Sequence, residues 1–166
     1  MARLPIATLA AHEFQKRHQR AREVVRNRGM TVRTAEQHLR PWLAIACLCG
    51  ADLPELAQPI SDRRKLLSDA PQGPRSITDE GQNAAALLEM ESRWLVADDL
   101  CPRARWVPVL AAARDDAFSR YLADSSNEAL TDAAAALQRL CLHLAYDING
   151  HNIPTYRAPA AQAAAA

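Results

Sequence analysis

The sequence predicts an all-α fold, a compact bundle of five or six helices, and three observations predict it. Apolar residues make up 49% of the chain, yet alanine fills 34 positions and aromatics only 5%, a mixture suited to closely packed helices. Only 5 glycines interrupt the 166 residues, and β-branched residues form no strand-like run. Apolar positions recur at spacings of three and four, most regularly in Glu128–Ile148. The length is that of one domain. It is read as residues 1–157, with a basic N-terminal third (1–40), followed by a low-complexity tail, 158–166, that is expected to be disordered.

A first helix is expected from about Thr8 to Arg28, with sparse apolar positions (Leu9, Ala10, Phe14, Ala21, Val24, Val25) and Gly29 as its left-handed end. Thr31 or Thr34 caps the second helix, Thr34 with Gln37 fitting a capping box. Pro41 has no N–H for the carbonyl of Gln37, so a kink or restart is expected there. The run Trp42 to Cys49 is apolar on every side and must be buried, and Gly50 closes it.

Asp52 with Glu55 opens an element that Pro54 and Pro59 limit to about a turn, and Ser61 caps a short helix from Asp62 to Ser68. Asp69 to Arg75 reads as a loop. Thr78, Asp79 and Glu80 begin a helix to about Val96, with Ala84, Leu87, Leu88 and Leu95 inward. Pro102 and Pro108 bracket a short connection containing Trp106, and Pro108 opens a helix to Ala123 that carries Leu110, Ala117, Phe118 and Tyr121. Ser125 to Asn127 form a turn and cap. The last helix, Glu128–Ile148, keeps the longest apolar stripe (Leu130, Ala133, Ala134, Leu137, Leu140, Cys141, Leu144, Ile148) and is expected to be central and most buried.

Charge is distributed unevenly. Residues 1–40 hold nine Arg or Lys against three Glu, whereas residues 41–100 hold five against ten acidic residues, although the formal net charge is only +1. The basic third either attracts a polyanion or pairs with the acidic middle of the same chain. Arg outnumbers Lys by 18 to 2, which together with the alanine suggests a GC-rich gene of bacterial, phage or plasmid origin.

Ala21 to Arg40 fits a helix-turn-helix template. Val24 is the first apolar position, Gly29 the turn, Met30 the apolar residue after it, and Ala35 and Leu39 face inward. On that template Arg22, Arg26 and Arg28 neutralise phosphates, and Arg33, Gln37 and Arg40 reach base edges of duplex DNA. Thr31-Val32-Arg33-Thr34-Ala35-Glu36-Gln37-His38-Leu39 resembles the recognition helix of LuxR-type regulators, in which a Ser/Thr-x-Arg-Thr-x-Glu-x-His-Leu pattern is common. The resemblance implies DNA contact by this helix. It ends at Leu39, and Arg28 and Val25 depart from it where the template keeps an apolar and a small residue. The alternative reading of the same stretch is a helical corner with a solvated, arginine-rich face.

Other chemistry finds little footing. His12 and His18 lie on different faces of one helix. His143 and Asp147 share a face but have no third ligand beside them. Adjacent pairs such as Asp98-Asp99 and Asp115-Asp116 diverge by about 100° on a helix. The sequence has no Gly-rich phosphate loop, GxSxG or HExxH. Cys47, Cys49, Cys101 and Cys141 form no CxxC pair and read as reduced core residues of a cytoplasmic protein. With none of these ligand sets or motifs, no cofactor or metal is expected, and no membrane partner either, because no apolar run approaches the ~18 residues of a membrane span.

Trp42 and Trp94 read as core. Trp106, flanked by Arg103 and Arg105, reads either as a cover over the end of the bundle or as an exposed protein-interaction anchor. The functional expectation is therefore a small non-enzymatic protein that contacts DNA through its basic third. The alternative is a protein-interaction module that binds a partner through a helical face.

Overall fold

Six helices form among the described residues, 3–69 and 81–145, of the computed structural model, and no strand does. The expected tail, residues 70–80 and Asp147–Ile148 lie outside the described residues.

α1 (Ile6–Arg26) buries Leu9, Ala10 and Phe14. α2 (Val32–Leu48) is capped by Thr31, whose hydroxyl accepts from the N–H of Thr34 at 3.1 Å. Arg17 and Trp42 fix how the two helices meet, with the guanidinium carbon of Arg17 3.4 Å from the centroid of the Trp42 ring. At about 1.5 Å per residue, Arg17 lies about 14 Å back along α1 from the turn and Trp42 about 15 Å along α2. Helices crossing near a right angle, as in a helix-turn-helix, would hold these backbones about 20 Å apart, beyond the reach of the two side chains. The expected helix, turn and helix are present in order, but they close into an antiparallel hairpin.

α2, not the last helix, is the centre of the fold. It packs on α1, α4 (Gly81–Leu100) and α5 (Arg103–Ala123). Its buried positions run nearly all round the circumference: Ala35, Pro41, Trp42, Ala44, Ile45, Ala46 and Cys47. α1, α2, α5 and α6 (Glu128–Leu144) pack in a closed ring. α4 packs on α2 outside that ring, and α3 (Pro54–Asp69) packs on α4. α6 buries Ala134, Leu137, Leu140, Cys141 and Leu144 as its stripe predicts, and Asn127 caps it by accepting from Ala129 and Leu130.

No helix ends or restarts at the three prolines where an interruption was expected. α2 continues through Pro41, α3 through Pro59 and α5 through Pro108. Each proline removes one N–H, from the carbonyls of Gln37, Glu55 and Ala104 respectively. All three of those residues lie on exposed sides of their helices, where a carbonyl that loses its partner costs least. The remaining penalty is about 3 kcal/mol per proline. Burial of large side chains such as Trp42 and Ile45, or Trp106 and Leu110, at about 1.5–3 kcal/mol each, offsets it.

α4 also turns a different face inward from the one expected. Leu87 and Leu95 are exposed, whereas Ser92, Val96 and Ala97 are buried. The Ser92 hydroxyl donates to the Leu88 carbonyl at 2.6 Å, which lets a polar residue line the contact. The neighbouring end of α2 carries small residues, and its Cys47 carbonyl accepts from Arg93, so this contact takes Ser92 and Arg93 rather than leucines. All four cysteines are free and buried.

Candidate nucleic-acid interface

The turn between α1 and α2 is fixed by backbone hydrogen bonds. The N–H of Gly29 donates to the carbonyl of Val24 at 2.8 Å, and that of Arg28 donates to Val25 at 3.0 Å. This Schellman pairing needs a left-handed residue, and it is Arg28 (φ 58), not the expected Gly29. Gly29 is required for a different reason. A Cβ there would stand 2.8 Å from Cγ1 of Val24, so glycine lets the chain fold back against that side chain.

Arg22, Arg26, Arg28, Arg33, Gln37 and Arg40 are all exposed. The fold does not spread them over one face. At about 100° per residue, Arg22 and Arg26 lie on the side of α1 away from Arg17, and Arg33, Gln37 and Arg40 lie on the side of α2 away from Trp42. Because Arg17 and Trp42 face each other, the two sets occupy opposite flanks of the hairpin. They approach one another at its tip, where Arg26 ends α1, Arg28 forms the turn and Arg33 begins α2. Glu23 and Glu36 are the carboxylates nearest in sequence, and both are exposed.

The ion pairs separate this region from the rest of the protein. In the acidic middle of the chain, Arg63 pairs with Asp99, Arg64 with Glu89, and Arg93 with Glu89 at 3.0 Å. Within α1, Lys16 and Arg17 both hold the buried Glu13. Burial pushes that carboxyl up, but the hydrogen bonds and charges of Lys16 and Arg17 outweigh it and leave its pKa below the ordinary glutamate value. Arg22, Arg26, Arg28, Arg33 and Arg40 form no ion pair with any described residue. Between the basic third and the acidic middle, the described side chains of opposite type that come within 4 Å are His18 and Glu55, at 3.8 Å.

The second candidate set, Arg103, Arg105 and Trp106, is broken up by the fold. Trp106 is 2% exposed and belongs to the core, so it is not an exposed anchor. The reason is that α5 begins at Arg103, which sets Trp106 in line with Leu110, Arg114 and Ala117 on the inward face. Arg103 lies over the Trp106 ring at 5.1 Å and reaches the Leu144 carbonyl at 3.5 Å. Arg105 alone of the three is exposed. Burial raises the pKa of Cys101, while the charges of Arg105 and Arg40 oppose it, so both arginines stand near the α4–α5 junction.

Two features were not anticipated from sequence. Arg93 reaches the end of α2, a contact with no sequence signal. A shallow depression between α2 and α4 is lined by Leu48, Cys49, Gly50, Ala86, Met90 and Trp94. Among the described residues no three His, Cys, Asp or Glu side chains come together as a metal site. No described helix is long and apolar enough to cross a membrane. Comparison with protein-family models, with curated proteins and with solved structures found no match.

Proposed function

We propose that this is a non-enzymatic binding protein that holds the phosphate backbone of duplex DNA at the tip of the α1–α2 hairpin. The observation that carries the proposal is the pairing pattern. The acidic middle of the chain neutralises its own arginines, while Arg22, Arg26, Arg28 and Arg33 face solvent without a carboxylate partner among the described residues. Unpaired guanidinium groups near one exposed turn attract a polyanion and release its condensed counterions. Because α2 packs against α1, α4 and α5, contact is proposed through the tip and not by laying α2 in the groove as a helix-turn-helix would. Arg33 and Gln37, one turn apart on α2, are the residues placed to reach base edges beside the tip. Arg40 stands farther back.

A filter-binding titration with mixed genomic duplexes at two salt concentrations tests this. Affinity should fall steeply with salt, and Arg22→Ala or Arg26→Ala should weaken binding to all sequences and flatten that dependence. No binding even at low salt overturns the proposal.

A second reading, as a protein-interaction module, draws on the depression between α2 and α4. Leu87 and Met90 are 57% and 40% exposed beside it, and exposed large apolar groups at one place mark partner surfaces. If this reading holds, Met90→Glu should abolish recovery of a partner while leaving DNA affinity unchanged.

A further inference from the structure

From the conformation of the hairpin turn we infer that Arg28 is held in a left-handed backbone for the sake of its side chain, as the main phosphate anchor of the DNA contact. This rests on the DNA-binding reading above and names the residue within it. The molecule supplies its own comparison. α2 ends in the same Schellman pairing, with Gly50 donating to Cys47 at 3.1 Å and Ala51 to Ala46 at 2.9 Å, and there the left-handed residue is a glycine (φ 79). At the end of α1 the equivalent position, φ 58, is occupied by arginine, the only non-glycine residue among those described with positive φ. An L side chain in this region is strained by contact between Cβ and the backbone, and glycine is free of that strain.

Nothing in the fold repays the arginine. Its side chain is exposed and makes no ion pair or hydrogen bond with a described residue. A positive charge does favour the carboxyl end of α1, but Arg26 in the last turn already supplies one. Strained backbone that the fold does not need collects where function needs it. The position also suits an anchor. Two backbone hydrogen bonds fix the turn, and Gly29 packs against Val24, so the backbone that carries Arg28 is set before any ligand arrives. Of the five candidate arginines, Arg28 alone lies on neither flank, so it meets a duplex approaching the tip from either side.

The experiment combines stability and binding on the full chain, with Arg28→Gly and Arg28→Asn beside the wild type and Arg26→Ala; asparagine also tolerates the left-handed region. Arg28→Gly should raise the melting midpoint by about 2–4 °C. It should also weaken binding to mixed genomic duplexes at low salt by about tenfold, more than Arg26→Ala does, and lower the salt slope by about 0.9. Arg28→Asn should lose the same affinity. If the wild type binds and Arg28→Gly binds equally well, the inference falls while the DNA-binding reading stands. If Arg28→Gly melts lower than the wild type, the side chain is structural and the inference falls as well. If the wild type itself binds no duplex, the functional reading fails and takes the anchor with it.

Discussion

Cys47 and Arg93 exchange hydrogen bonds across the α2–α4 contact. The guanidinium of Arg93 donates to the Cys47 carbonyl at 3.2 Å, and the Cys47 thiol donates to the Arg93 carbonyl at 3.2 Å. Arg93 also donates to Ala51 at 3.1 Å, and Glu89 holds it from the preceding turn. A side chain of α4 therefore adds a second hydrogen bond to the Cys47 carbonyl, which also accepts from Gly50, and binds the Ala51 carbonyl just beyond α2. Arg93→Ala should lower stability by about 1.5–3 kcal/mol, the range for hydrogen bonds to a charged group, and Arg93→Lys should recover only part of the loss. Urea denaturation of the two variants measures both.

The thiols of Cys47 and Cys49, at the end of α2, should be inert while the protein is folded. Burial pushes Cys49 up to about 12, and it pushes Cys47 up to about 11 against the opposing charge of Arg93. The thiolate is the reactive form. Iodoacetamide near pH 8 should leave both unlabelled in the native protein and label both in urea, as read by mass spectrometry. Rapid native labelling of either residue would mean that the α2–α4 contact opens readily.

Trp106 should behave as core. Trp106→Ala should cost about 3–5 kcal/mol, whereas Arg105→Ala, on the exposed side of the same turn, should stay within about 0.5 kcal/mol. Thermal melts of the two variants make the comparison. Equal, small effects would return Trp106 to the surface.

Acid should remove a defined part of the stability through Glu13. Its pKa is lowered in the folded state. Its contribution is therefore complete above the unfolded glutamate value, about 4.3, and disappears as pH falls below that through the folded value. Unfolding followed from pH 7 to pH 3 should show a slope that Glu13→Gln reduces. Glu89, lowered as well despite its burial by hydrogen bonds from Arg64 and Arg93, should leave part of the slope in place.

Leu140 is fully buried and Leu137 4% exposed. Leu137→Ala and Leu140→Ala should each destabilise by about 2–5 kcal/mol, measured by the melting midpoint. An unchanged midpoint for both would remove α6 from the core.

The helices themselves were legible because helix signals are local. The apolar spacing of α6, its Asn127 cap, the Thr31 cap and the closure of α2 at Gly50 all depend on groups within a few residues. The exposure of Arg22, Arg26, Arg28, Arg33, Gln37 and Arg40 was legible for the same reason, since a polar face needs no partner to stay in water. Tertiary structure decided the rest. Pro41, Pro59 and Pro108 read locally as breaks, but each removes a single hydrogen bond from the carbonyl of an exposed residue, and packing of neighbouring side chains outweighs that loss. It also decided that α2 and not α6 is central, that α4 turns Ser92 inward and Leu87 outward, and that Trp106 lies in the core. Sequence periodicity marks an apolar face, but burial depends on which surfaces of other helices arrive against it. The same holds for the arginines. Their number is written in the chain, whereas their separation onto two flanks and a tip follows from Arg17 meeting Trp42, a contact between residues far apart in sequence that only the folded hairpin brings together.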